Sequence, residues 1–99
     1  MADIKIIDES HRISEKRGNG ILRREVWVDE NNGKVTRYNL AYINHLIFAG
    51  DNGRVIGYDN AHNSHHRHYL GEVESIEFIS FADIEVQFEN DWIKLKDQK

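Results

Sequence analysis

The sequence predicts an α+β fold: an antiparallel β-meander sheet with a C-terminal amphipathic helix packed on one face. Three observations carry that reading. Asn31-Asn32-Gly33 and Asp51-Asn52-Gly53 each end in a dipeptide that readily takes positive φ, and each lies between apolar or alternating runs, as hairpin turns do. Phe81, Ile84, Phe88, Trp92 and Leu95 recur at helical spacing near the end of the chain. No proline, repeat or low-complexity segment interrupts the 99 residues, so one domain spanning 1–99 is expected.

Taken in order, Lys5-Ile6-Ile7 reads as a short strand and Arg17-Gly18-Asn19-Gly20 as a turn. A strand over about 21–29 puts Leu22, Arg24, Val26 and Val28 on one face and Arg23, Glu25 and Trp27 on the other. A second, over about 35–48, puts Tyr38, Leu40, Tyr42, Leu46 and Phe48 on a face with a buried look. It is long for one run, and a bend near Asn44-His45 is expected. A third covers about 54–59. Glu72 to Ile79 alternates charged and apolar residues and reads as a further strand or extended segment. Ser80 then offers an N-cap for the helix, with Asp83 at the position that closes a capping box.

Composition excludes several classes. The chain has no cysteine, so neither disulfides nor a Cys-type zinc site is possible. Residues 1–5 lack the apolar run of a signal peptide and no segment is long and apolar enough to cross a bilayer, which makes a cytoplasmic protein the expectation. The net charge of −4 is uneven: residues 1–70 carry ten Lys/Arg against nine Asp/Glu, and residues 71–99 three against eight. Such a chain does not advertise nucleic-acid binding globally. A local basic cleft built from Arg23, Arg24, Arg37, Arg54 and Arg67 remains open, although Arg23 and Arg24 are adjacent on a strand and face opposite ways.

The chemistry concentrates in residues 57–69, where four of the six histidines (His62, His65, His66 and His68) stand with Arg67, Asp59, Tyr58 and Tyr69. Histidine exchanges protons near physiological pH and ligates metals, and arginine offers a fork of donors for phosphate or carboxylate. Three functional readings compete with that of a surface loop hydrogen-bonded to itself. Two histidines and an arginine suffice for metal-independent phosphodiester cleavage, with the tyrosines donating hydrogen bonds or stacking on bases. His62-x-x-His65 and His66-x-His68, with Asp59, have spacings that can converge on a metal. The same segment would also suit recognition of an acidic or phosphorylated partner. His11 and His45 are isolated and read as surface or packing residues.

Three motifs then bring a family into view. Arg37-Tyr38-Asn39-Leu40-Ala41-Tyr42-Ile43, Gly53-Arg54-Val55-Ile56-Gly57-Tyr58-Asp59-Asn60 and His65-His66-Arg67-His68-Tyr69, the last followed by Gly71-Glu72, resemble the TumE-type toxins of bacterial toxin–antitoxin modules. The resemblance covers about residues 20–97. It implies a cytoplasmic bacterial or archaeal toxin neutralised by a cognate antitoxin, often a helix-turn-helix DNA-binding protein. Under that reading the leading function is RNA cleavage without metal or other cofactor, by analogy with other small toxins. His65, His66, His68, Tyr58 and Asp59 form the expected catalytic set. Arg54, Arg67 and Arg37 are the expected phosphate-binding set. His66 or His68 would act as base or acid, Tyr58 and Asp59 would orient the site, and activity would pass through a maximum at mildly acidic to neutral pH. If residues 66–68 are extended, Arg67 faces away from both histidines and the phosphate role falls to Arg54. The alternative is a non-catalytic module whose histidine-rich loop binds a metal ion or a protein partner. The acidic helical end (Glu85, Glu89, Asp91 and Asp97) is a further expected docking site, for a basic antitoxin segment.

Overall fold

In a computed structural model, which describes residues 3–61 and 64–96, six strands form one antiparallel sheet in the order β1 to β6. They are β1 (Asp3–Arg12), β2 (Ile21–Asp29), β3 (Val35–Ile43), β4 (Arg54–Asp59), β5 (His66–Tyr69) and β6 (Glu72–Ser75). A single helix, α1 (Phe81–Lys96), lies across one face against β3 and β4. This is the expected meander with its C-terminal helix.

The core forms where the two patterns meet. Tyr38, Leu40 and Tyr42 of β3 and Val55, Ile56 and Tyr58 of β4 pack against Ile84, Phe88 and Leu95 of α1. Phe81 and Trp92 pack at the margins of this cluster, so all five residues of the helical stripe serve as core. Ser80 caps the helix as expected: its Oγ accepts the Asp83 N–H at 3.1 Å, an arrangement that contributes about 1 kcal/mol.

Four local expectations need correction. The second strand ends at Ile43 and does not reach 48. There the Asn44 side chain accepts the Leu46 N–H at 3.0 Å, and the Asn44 carbonyl accepts those of Ile47 and Phe48 at 3.1 Å. Such local bonds compete with the ladder and turn the chain. Leu46 consequently stands 83% exposed, off the buried face, while Phe48 is half-buried. Asp51-Asn52-Gly53 does link two antiparallel strands with the expected positive φ, but it is not by itself the whole turn. All three residues have positive φ (50°, 54° and 82°), and they close a longer connection over 44–53.

The strand expected at 5–7 extends from Asp3 to Arg12, with a bulge at Ile6. The segment expected over 72–79 is strand only to Ser75.

One turn has no signal in the sequence. Leu70 and Gly71, at φ 48° and 85°, join β5 to β6 as a two-residue hairpin loop with both central residues left-handed. This hairpin makes the last part of the histidine segment, His66–Tyr69, a strand inside the sheet rather than a surface loop.

Candidate functional site

The ladder between β4 and β5 pairs Gly57 with His68, Tyr58 with Arg67 and Asp59 with His66. Because successive side chains of a strand alternate, that register divides the motif residues between two faces. His66, His68 and Asp59 face away from the helix, and Tyr58 and Arg67 face toward it.

Arg54 joins the histidines through a bulge. Tyr42 pairs with Ile56 and Ile43 with Arg54, which leaves Val55 as the extra residue. Val55 and Ile56 are both fully buried. Arg54 crosses Gly57, where a Cβ would come within 2.7 Å of its Cδ. A glycine at 57 is what lets the guanidinium lie over the strand.

On this open face Asp59 Oδ2 stands 2.8 Å from His68 Nε2, and Arg54 Nη2 stands 3.1 Å from His68 Nδ1. A guanidinium can only donate, so Nδ1 accepts from Arg54 and the ring proton sits on Nε2, donated to Asp59. Arg54 is held by its Nε donating to Asp51 Oδ2 at 2.8 Å, and its Nη1 lies 3.8 Å from Asp59. His66 is less constrained. Its Nδ1 is 3.9 Å from Asp59 Oδ1, and its ring centroid is 6.5 Å from that of His68. Arg37 is on the same face, two residues before Asn39, the cross-strand partner of Asp59. Its guanidinium lies 4.8 Å from the centroid of Trp27.

Across the sheet, Tyr58 and Arg67 are engaged with the helix. The Tyr58 hydroxyl donates to Asp91 Oδ2 at 2.5 Å, and Arg67 Nε lies 3.1 Å from both that oxygen and the Tyr58 oxygen. Arg67 Nη1 also reaches Glu74 at 3.2 Å. Burial, followed by the Asp91 carboxylate, holds the Tyr58 hydroxyl well above the usual tyrosine range. For Arg67, burial opposes the charge, but the bond and charge of Asp91 outweigh it and raise the guanidinium further. Both groups therefore keep their protons, as members of a strand-to-helix ion-pair cluster.

His65 stands apart from both sets. Its Nδ1 is 2.8 Å from the Tyr38 hydroxyl, and its ring stacks on Phe78 with centroids 4.1 Å apart. Burial, then the neighbouring His66, lowers its affinity for a proton. Tyr38 is pushed up to about 12, by burial first and by the charge of Asp59 second. The tyrosine thus stays protonated and donates, and His65 is neutral with its proton on Nε2. A raised folded value means that this contribution to stability is complete below the ordinary tyrosine value of about 10. It is lost as pH rises from there through about 12. Urea midpoints measured across that window should fall more steeply for the wild type than for Tyr38→Phe. Equal slopes would contradict the assignment.

Sequence reasoning missed three partners, Asp51, Asp91 and Glu74, which are distant in the chain or lie outside the motifs. Of the acidic helical end, Glu85 pairs with Arg24 and Asp91 with Arg67. Asp97 and His62 lie outside the described residues. Among the described residues no group of three or more His, Asp or Glu is arranged to hold a metal ion, and no helix is long and apolar enough to cross a membrane.

Compared with known families, residues 6–98 match the family model described as Toxin TumE. The chain belongs to the TumE toxin family. Neither the curated proteins nor the solved structures contain a match. Family membership makes this chain the toxin component of a toxin–antitoxin module, with a cognate antitoxin as its partner. The three motifs that carry the TumE resemblance centre on β3, β4 and β5, the strands that build the open face and its reverse, and run into the residues that flank them.

Proposed function

We propose that this TumE toxin cuts RNA by metal-independent acid–base catalysis on the open face of the sheet. The observation that carries the reading is the pair of histidines, His66 and His68, with ring centroids 6.5 Å apart on one face and Asp59 and Arg54 in contact with the set. Cleavage by the adjacent 2′-hydroxyl needs one group to take the proton from O2′ as the O2′–P bond forms. A second group must protonate the 5′ oxygen as the P–O5′ bond breaks, leaving a 2′,3′-cyclic phosphate and a 5′-hydroxyl. His66 and His68 divide these two transfers. Arg54 and Arg37 hold the phosphate, whose charge a guanidinium fork matches. A charged phosphate is a stronger acceptor than a neutral imidazole, so binding it draws Arg54 off His68 and frees Nδ1.

The reading extends to a helix-turn-helix antitoxin acting in the cytoplasm, with its basic segment on the acidic part of α1 that the ion pairs leave available, such as Glu89. The competing reading is a binding module without covalent chemistry. It is favoured by one feature, that both ring nitrogens of His68 are already engaged. Purified protein incubated with end-labelled RNA, with and without chelator, decides between them. Cleavage that survives chelator and leaves cyclic phosphate ends is expected. Cleavage lost to chelator would replace the histidine pair with a metal site, and no cleavage would favour the binding module.

A further inference from the structure

At the end of the sheet where β3 begins and β4 ends lies a cavity of about 260 Å³, lined by Val35, Thr36, Tyr38, Asn60, His65 and Phe78. Its frame is fixed. Asn60 Oδ1 accepts the Tyr38 N–H at 3.0 Å, and Asn60 Nδ2 donates to the Thr36 carbonyl at 3.0 Å. His65 is held between two rings, 14° from the plane of Phe78 and 22° from that of Tyr38. With Nδ1 taken by the Tyr38 hydroxyl, its Nε2 proton has no partner among the described residues. Phe78 is 41% exposed although its ring is part of this stack.

Among the described residues the lining therefore offers a flat aromatic wall and a fixed neutral donor in His65, with no lysine, arginine or carboxylate. Such a cleft has nothing to hold a phosphate and much to hold a planar heterocycle carrying an acceptor. Its volume is below the roughly 300–1,000 Å³ of most small-molecule sites, which fits one ring system rather than a whole nucleotide.

We propose that this cleft is a nucleobase subsite. A base of the RNA lies in the plane of His65, on the side of Phe78 that His65 occupies, where it packs on the Phe78 surface beside His65 and accepts the Nε2–H through a ring nitrogen or carbonyl. The proposal rests on the RNA reading of the open face and locates where a neighbouring nucleotide goes. Asn60 follows Asp59 and His65 precedes His66 in the chain, and Asp59 and His66 are cross-strand partners. His65 turns from the face of His66 toward Tyr38 on the helix side, so a strand of RNA whose phosphate lies at His66 and Arg54 reaches the cleft by passing round this end of the sheet. His65 becomes a residue that reads the base, with its lone pair already committed to Tyr38, and not one that moves a proton.

The experiment is a titration of the full chain with AMP, GMP, CMP and UMP, with ribose 5-phosphate alone as the control, read from the aromatic NMR signals of Phe78 and His65. At least one nucleotide should shift both rings and saturate, while ribose 5-phosphate leaves them unmoved. A trinucleotide RNA should bind more tightly than any mononucleotide. Phe78→Ala, a change at a partly exposed position, should weaken the nucleotide at least tenfold. His65→Phe, which keeps the stack but removes the donor, should level the preference among bases. Equal shifts with ribose 5-phosphate, no shift with any nucleotide, or tighter binding of a mononucleotide than of the trinucleotide would each overturn the proposal. Base binding retained by a protein that cuts no RNA would support the subsite and overturn the catalytic reading alone.

Discussion

Replacing His66 with alanine is expected to slow RNA cleavage by about 10²–10⁴-fold, the usual worth of a positioned acid or base, and to abolish growth arrest on induction. His66 is the cleaner of the two histidines to test. Its only ion contact among the described residues is with Asp59 at 3.9 Å, longer than a hydrogen bond, and its side chain is 26% exposed. Its removal should therefore leave the melting temperature nearly unchanged. His68→Ala should also lose activity, but it takes a hydrogen-bond partner from both Arg54 and Asp59, so part of its effect would be structural. Initial rates on labelled RNA, growth after induction and a thermal melt of each variant separate the two cases. A folded His66→Ala protein that cuts and arrests like the wild type would remove this ring from the mechanism.

The fold was legible wherever burial wrote a period into the sequence. The bounds of β2 and β4 and the stripe and cap of α1 follow from alternation, helical spacing and Ser80, because those elements bury one face in the core. Where polar contacts decide, the pattern is silent. β1 is exposed along almost its whole length and is tied to β2 by charge: Lys5 to Glu25, Asp8 to Arg23 and Glu9 to Arg24. No apolar alternation announces such a strand, so only its apolar centre was visible. At Asn44 the length of the run announced a bend, but the side-chain bond that ends the strand there was not visible, and the turn at Leu70 places a left-handed φ on a residue that rarely adopts one.

The site was legible in composition and only partly in geometry. Alternation alone separates His66 and His68 from Arg67, once residues 66–69 are taken as a strand. The bulge at Val55, which aligns Arg54 with the histidines, has no sequence signature, and neither has the pairing of Arg67 with an aspartate 24 residues away. His65, adjacent to His66 yet stacked with Phe78 and Tyr38, shows how four histidines in seven residues can serve different ends.

The helix side of the motif predicts a loss of stability. Asp91→Ala removes the acceptor of the Tyr58 hydroxyl and the nearest counter-charge of Arg67. Tyr58 is buried and its proton would have no carboxylate to meet, while among the described residues Arg67 would keep Glu74 alone as a charged partner, and that side chain is 59% exposed and therefore screened. Breaking a fully buried pair costs about 3–5 kcal/mol. The side chains here retain about a fifth of their exposure (23% and 22%), which lowers the expectation to about 2 kcal/mol. For a chain of this length that is a fall in Tm of about 8–16 °C. Asp91→Asn, which keeps a carbonyl acceptor but not the charge, should lose roughly half as much. Because this cluster lies behind the sheet from His66, Asp91→Ala should still cut RNA at temperatures where it is folded. Cleavage lost with the melting temperature unchanged would instead return Arg67 to the phosphate, the role first expected of it, and would make Asp91 the group that orients it.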